Sequence, residues 1–222
     1  LPASERKEQY RYLEKNMNRL PHNLLDEKCS GMSQPVEIRR ARELAPIWAQ
    51  FTHGLDIHST KGDIAPMIIT GLGGLRPDLV RGFPITKVLT EIHTVQIGSP
   101  VYGFFGSKSA ADVPIVLEIE AGTHQDTKSF ERASVCAEAL LKNLGMIAGS
   151  TDAAVSQYEI YEMFDTIVFP NTTYELTRYF QDFEEVREGE TIARSRGNVI
   201  VAATKCHTVF ASQKLRPTDV AE

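Results

Sequence analysis

The chain has 222 residues, of which 42% are hydrophobic and 24% charged, as is typical of a globular protein with a substantial core. At about 150 residues per domain, this length predicts one to two domains. The 24 basic and 29 acidic residues give a net charge of −5, which argues against nucleic-acid binding. No stretch predicts a membrane span, and three cysteines without a CxxC spacing favour a reduced, cytoplasmic setting.

A first helix is predicted over residues 35–45. Ser33 is a suitable N-cap, and Pro35 is tolerated because the first turn of a helix does not need its backbone N–H. Pro46 should end or kink the helix, since a proline inside a helix removes a backbone hydrogen bond.

A second helix is predicted over residues 128–144, with Asp126 or Thr127 as its N-cap and Gly145 at the position just past its end. Apolar side chains recur there at helical spacing and predict the buried face of the helix. These residues are Phe130, Ala133, Ala137, Leu140 and Leu144.

Strand patterns precede this second helix. Residues 55–58 and 113–120 alternate apolar and polar side chains with a period of two. In the second stretch, positions 115, 117 and 119 are apolar and share one face, while Glu118 and Glu120 share the other. Strand, helix and again strand predict an α/β layer architecture.

From about residue 150 the pattern changes to short strands separated by turns at Gly189 and Gly197. The expected strands are residues 158–164, 166–169, 191–194, 198–203 and 208–211. We therefore predict an α/β domain over residues 1–154 and a small all-β domain over residues 155–222. We interpret the second as a lid or an oligomerisation surface, which leaves a homo-oligomer open.

One candidate site is Asp56-x-His58 at a strand end. Both side chains lie on the same face of the strand, so the carboxylate could orient the imidazole, which is a common metal ligand. A buried structural histidine beside a capping aspartate is the competing interpretation.

A second candidate is Glu118-x-Glu120, which ends a strand before a glycine-containing loop. A carboxylate in that position is well placed to act as a desolvated general base. The competing interpretation is a solvated edge strand with outward-facing glutamates. His124 follows in the loop and is interpreted as an ordinary loop histidine.

A third candidate is Asn18-Arg19, which follows Arg11. A planar guanidinium beside an amide suits the binding of a carboxylate, because it offers paired hydrogen-bond donors. Basic residues beside a loop are also commonly just solvated, and that interpretation stays open.

In chain order, four segments resemble the succinylglutamate desuccinylase/aspartoacylase family of carboxypeptidase-like zinc amidohydrolases. Residues 11–20 (RYLEKNMNRL) resemble the motif RY(L/I)(D/E)xDLNR(I/L), and residues 35–41 (PVEIRRA) resemble a helix with YExRRA. Residues 56–60 (DIHST) resemble DLH(N/S/T)T, and residues 119–122 (IEAG) resemble the strand end GIExG. The resemblance implies a carboxypeptidase-like mixed sheet with flanking helices, followed by a small all-β domain.

The resemblance also implies a role for each matching residue. His58 would be one of three zinc ligands, and Glu120 would be the general base that carries the proton. Asn18 and Arg19 would hold the substrate carboxylate, and Arg11 would polarise the scissile carbonyl. The implied activity is zinc-dependent hydrolysis of the amide bond of an N-acyl amino acid. A carboxypeptidase-type peptidase acting on short peptides and a metal-free carboxylate-binding relative are the alternatives.

The sequence departs from the family pattern in three places. A family arginine a little upstream of the catalytic glutamate has no clear match, since the nearby Lys108 lacks the paired donors of a guanidinium. Asn16 stands where the family has an aspartate. The family's other two zinc ligands come from an H-x-x-E motif upstream of the first segment, and no H-x-x-E occurs in these 222 residues. We therefore expect an N-terminal portion to be missing from this sequence, and we expect tight zinc binding to need it.

Overall fold

The computed structural model describes residues 13–14, 16–17, 35–60, 64–71, 74–92, 115–151, 157–169 and 173–211. These residues include two helices, α1 (Val36–Trp48) and α2 (Thr127–Asn143). Their strands are β1 (His53–Thr60), β2 (Met67–Thr70), β3 (Lys87–Thr90), β4 (Ile115–Thr123), β5 (Glu159–Glu162), β6 (Glu175–Leu176), β7 (Glu184–Val186), β8 (Thr191–Ser195), β9 (Asn198–Val201) and β10 (Cys206–Thr208).

Five of these strands form a mixed sheet in the order β1-β4-β2-β3-β5. β1 is parallel to β4, β4 is antiparallel to β2, and β3 is parallel to both β2 and β5. The α/β prediction is therefore confirmed. Strands β2 and β3 were not predicted, because each has four largely buried residues and no alternation of polar and apolar side chains.

Helix α2 covers one face of the large sheet. Leu117 and Ile119 of β4 pack there with the helix residues Cys136 and Leu140, all of them at most 6% exposed. The prediction that Phe130 belongs to this buried face is wrong, since its side chain is 77% exposed. Helical spacing alone does not distinguish two neighbouring apolar stripes on one helix.

The predicted ends of α2 are confirmed. Asp126 is its N-cap, and the carboxylate accepts a hydrogen bond from the backbone N–H of Lys128 at 3.0 Å. Gly145 follows the helix with φ of 69°, a left-handed conformation that glycine adopts without strain.

The predicted ends of α1 need two corrections. The N-cap is Pro35 and not Ser33. Pro46 was expected to end or kink the helix; it lies inside the helix, which continues to Trp48, so the helix does not end there, and the kink stays a prediction. A proline so close to the C-terminal end of the helix removes only a single hydrogen bond from its last turn.

Beyond β5, the described residues form two small sheets, β6-β8-β9 and β10-β7, around a separate apolar cluster that includes Phe180, Val186 and Ile192. Residues 166–168 are not a strand, and the last strand in the described part of the chain is β10, not residues 208–211. Strand β5 pairs with β3 and so belongs to the large sheet. The division into residues 1–154 and 155–222 stays a prediction.

The second face of the large sheet contacts this C-terminal part of the chain. Met67, Ile69 and Leu89 form an apolar cluster there with Phe183, and the partly buried Phe210 packs against it. Strands β2 and β3 are therefore covered on both faces. Among the described residues, no helix has the length and hydrophobicity needed to cross a membrane.

Candidate metal and catalytic site

Four polar side chains lie together on one face of the sheet where β1 pairs with β4. The parallel register sets Asp56 opposite Glu118 and His58 opposite Glu120. Because residues two apart on a strand point to the same side, all four project from one face. Glu120 is also paired with Met67 of β2, so this is the face that turns away from α2.

His58 is held by Asp56. Its Nε2 atom lies 3.2 Å from Asp56 Oδ1, and the two side chains are 22% and 29% exposed. This hydrogen bond raises the pKa of His58 from 6.5 to about 9, and the negative charges of Asp56, Glu118 and Glu120 add to the rise while burial opposes it. Asp56 contacts the imidazole itself, as expected of a residue that orients it.

The donor atoms of Asp56, His58 and Glu118 all lie within 4.8 Å of one another. Imidazole nitrogen and carboxylate oxygen are ligands that zinc accepts, and catalytic zinc sites usually have three protein ligands. The chemistry of this donor set therefore fits a zinc-type ion. Glu118 was a candidate from its spacing to Glu120, but the family resemblance implies no role for it, and its place beside Asp56 and His58 follows from the parallel β1–β4 pair.

Glu120 is only 7% exposed and lies on β4, between β1 and β2. The interpretation of residues 118–120 as a solvated edge strand is therefore wrong. Burial replaces water around a carboxylate with protein groups, and a general base needs this kind of protected position beside the reacting atoms.

The strand end after Glu120 is closely supported by α2. Gly122 has φ of 119°, and a Cβ atom there would lie 2.7 Å from Ser129 Oγ and 3.1 Å from Arg132 Nη1. Arg132 donates a hydrogen bond from Nη1 to the carbonyl of Ala121. Glycine at position 122 thus allows the helix to approach the residue that follows the proposed base.

The ends of β1 and β4 are also joined beyond the site. His124 donates its backbone N–H to the carbonyl of Thr60 at 2.7 Å, and His124 Nδ1 lies 2.8 Å from Ser59 Oγ. Both Ser59 and His124 are exposed. These contacts fix the positions of the strands next to His58 and Glu120.

Arg11, Asn18 and Arg19 lie outside the described residues. Of the sequence-predicted site residues, the structure therefore brings together His58 and Glu120. The described residues Leu13, Glu14 and Met17 lie between Arg11 and Asn18 in the chain and contact α1.

A groove of about 720 Å³ lies between β1 and α2, on the other face of the sheet. Its lining is largely apolar and includes Leu55, Leu141 and Met146, and His53 is its one titratable side chain among the described residues. Because the groove contains none of the four polar residues, the candidate site is the β1–β4 face.

Solved structures of succinylglutamate desuccinylase/aspartoacylase type share this fold. Succinylglutamate desuccinylase from Vibrio cholerae has a TM-score of 0.67 at 16% identity, over 94% of this chain and 63% of that one. Succinylglutamate desuccinylase/aspartoacylase from Rhodobacter sphaeroides has a TM-score of 0.55 at 16% identity, over 90% of this chain and 62% of that one.

The product-bound ectoine utilization protein EutE from Ruegeria pomeroyi has a TM-score of 0.58 at 14% identity, over 90% of this chain and 65% of that one. No family model matches the chain, and no curated protein matches it either. The chain spans just under two thirds of the length of these solved structures. The resemblance seen in the sequence is confirmed at the level of the fold.

Proposed function

We propose that this chain forms the catalytic face of a zinc-dependent hydrolase that cleaves the amide bond of an N-acyl amino acid. The observation that carries the proposal is the parallel register that sets His58 beside Glu120 within the polar cluster. The fold shared with desuccinylase and aspartoacylase structures supports this reaction class.

His58 would hold the metal ion, with Asp56 and Glu118 close enough to contribute oxygen ligands or to orient the imidazole. Ligands from an upstream H-x-x-E motif would complete the set that the sequence resemblance implies. When bound, zinc supplies a Lewis acid and lowers the pKa of a coordinated water molecule to about 7.

Glu120 would accept a proton from the attacking water as the new carbon–oxygen bond forms at the amide carbonyl. Arg11 would donate a hydrogen bond to the carbonyl oxygen, where negative charge develops. Glu120 would then return the proton to the amine nitrogen as the carbon–nitrogen bond breaks. The products are a carboxylic acid and a free amino acid.

Asn18 and Arg19 would bind the carboxylate of the amino-acid half of the substrate. The guanidinium can form two parallel hydrogen bonds to a carboxylate, which fixes the direction of the adjoining amide bond. This requirement predicts that the enzyme rejects substrates whose carboxylate is blocked.

The test is release of amine from N-succinyl-L-glutamate, N-acetyl-L-aspartate and a dipeptide ending in glutamate, using the full-length protein. We expect turnover of an N-acyl amino acid that is lost on chelation and restored by zinc. Turnover of the dipeptide alone would indicate a peptidase, and binding without turnover would indicate a carboxylate-binding protein. Equal rates with and without chelator would contradict the role of the metal.

A further inference from the structure

A β-bulge interrupts the pairing of β1 with β4 directly after the two central residues. His58 is paired with Glu120, and the next pair lies two residues further along β1 but three residues further along β4. Two residues of β4, Ala121 and Gly122, therefore lie opposite Ser59 alone. Bulges bend a strand and redirect its side chains, and they are common beside active sites.

The place of this bulge determines which side chains of β4 lie beside β1. Before the bulge, the two glutamates of β4 lie opposite Asp56 and His58. A shift of the pairing by one residue would turn both glutamates to the face that α2 covers, because the side-chain period of a strand is two. Bulges pin the register of a sheet, so the contacts that hold this bulge also hold the polar cluster together.

Arg132 of α2 binds the bulge. Its Nη1 atom donates a hydrogen bond to the carbonyl oxygen of Ala121, a residue that is only 2% exposed. A bulge leaves an extra residue outside the regular ladder of hydrogen bonds, and a buried carbonyl needs a partner. Because a hydrogen bond from a charged guanidinium is stronger than a neutral one, Arg132 stabilises the bulge at this position.

The close approach of α2 makes the position of the bulge specific. Gly122 has φ of 119°, and a Cβ atom there would lie 2.7 Å from Ser129 Oγ and 3.1 Å from Arg132 Nη1. Glycine adopts this backbone conformation without strain and leaves room for the guanidinium. Beyond the bulge, the backbone N–H of His124 donates to the carbonyl of Thr60 at 2.7 Å. The bulge is therefore held by α2 on one side and by β1 on the other.

We propose that Arg132 is a positioning residue for Glu120. Helix α2 covers the face of the sheet opposite to the polar cluster, so the guanidinium acts through the backbone of Ala121 and not by contact with substrate. Ala121 directly follows Glu120, so holding its carbonyl fixes the part of the strand that carries the carboxylate. The contribution falls on the rate of proton transfer and not on substrate binding. This inference rests on the function proposed above, in which Glu120 is the general base.

Kinetics of Arg132→Met with N-succinyl-L-glutamate, in the full-length protein, test the proposal. Methionine keeps an apolar stem of similar length but cannot donate a hydrogen bond. We expect kcat to fall about 10–100-fold with KM nearly unchanged, since a displacement of about 1 Å at a reacting group can cost about 10²-fold. Arg132→Lys keeps the charge and a donor but loses the planar guanidinium, so it should restore part of kcat.

Lys142→Met is the matched control for Arg132→Met. It also removes a cation from α2, but Lys142 pairs with Glu138 of the same helix. Its kcat and KM should equal those of the wild type. A wild-type kcat in Arg132→Met would overturn the proposal. If Arg132→Met does not fold, Arg132→Lys is measured in its place, with an expected loss of about threefold in kcat, the scale of one weakened hydrogen bond.

A Glu120→Gln background separates positioning from general destabilisation. In that background, Arg132→Met should change the residual kcat by less than about twofold, because the group that it positions can no longer transfer a proton. The same fold loss in both backgrounds would show that Arg132 acts on the whole protein and would overturn the proposal.

Amide hydrogen exchange measures the hold on the bulge without turnover. In metal-free Arg132→Met, the backbone N–H of His124 should exchange about tenfold faster than in wild type, since the strand end opens more readily, and Lys142→Met should match wild type. Unchanged exchange overturns the role of Arg132. Full activity of Glu120→Gln would instead end the proposed mechanism, and the exchange rate of His124 would still decide whether Arg132 holds the bulge.

Discussion

Two halves of the same sheet face differ sharply in character. Over β2 and β3, Met67, Ile69 and Leu89 are at most 1% exposed and pack against Phe183. Over β1 and β4, the same face presents a histidine and three carboxylates. Partly buried charges cost stability unless they are paired or bind an ion, whereas buried apolar side chains add to it. The apolar half therefore contributes to the stability of the fold, and the polar half is where we expect the metal ion and the reaction.

The largest effect is expected on the catalytic rate, when the proposed general base in the polar half is removed. Glu120→Gln keeps the size of the side chain but can no longer accept and return a proton. We expect the rate to fall about 10²–10⁴-fold, the range for loss of a general acid–base group, with fold and metal content unchanged. The measurements are kcat for an N-acyl amino acid, metal content per chain and thermal unfolding.

Glu131→Gln on the exposed surface of α2 is the control for Glu120→Gln and should have wild-type activity. Glu118→Gln separates two roles in the cluster. If Glu118→Gln loses the metal, Glu118 is a ligand. If Glu118→Gln loses rate with full metal content while Glu120→Gln stays active, the general base is Glu118 and not Glu120. Full activity of both variants would rule out a general base on β4.

The next prediction concerns the apolar half. Leu89→Ala should lower the free energy of unfolding by about 2–5 kcal/mol, because it leaves a cavity in a closely packed cluster. The rate per folded molecule should be unchanged below the unfolding temperature. Chemical denaturation and active-site-normalised kinetics measure the two quantities. A loss of rate without a loss of stability would show that the two halves are not separate.

A third prediction concerns Arg19, which we propose binds the substrate carboxylate and which is not part of the large sheet's polar cluster. Arg19→Ala should weaken the binding of substrate by about 2–4 kcal/mol, typical of removing one member of a charge-assisted pair. Arg19→Lys should recover part of this, since the charge remains but the paired donors are lost. Equal KM values for wild type and Arg19→Ala would remove Arg19 from the site.

Local patterns were enough to predict the part of the fold that carries the two central residues. The alternation in β4 placed Glu120 on the face opposite Leu117 and Ile119, and the structure agrees. The prediction of a strand at residues 166–168 was wrong. Their β-branched side chains favour a strand only where a neighbouring strand is available to pair.

The arrangement of the site depended on contacts that a local pattern does not contain. Glu118 comes close to Asp56 and His58 only because β1 and β4 pair in parallel across some 60 residues of chain. A shift of one residue in that register would turn the carboxylates to the other face. Local patterns therefore predicted the pairs Asp56–His58 and Glu118–Glu120 separately, but not the cluster in which the four side chains meet.

The smallest expected effect is the pH dependence of the stability that His58 and Asp56 contribute to the metal-free protein. In chelated protein, the hydrogen bond to Asp56 raises the pKa of His58 to about 9, above its ordinary value of 6.5. A raised pKa means that the protonated imidazole stabilises the fold. This contribution is fully present below pH 6.5 and is lost as the pH rises through 9.

Asp56→Asn should therefore be less stable than wild type at pH 6, and the two unfolding free energies should converge as the pH approaches 9. Denaturant unfolding at several pH values in the presence of chelator measures this convergence. Zinc binds the neutral imidazole, so adding it should reverse the trend and make wild-type stability increase with pH. A constant difference between the two proteins across the range would show that Asp56 does not set the protonation of His58.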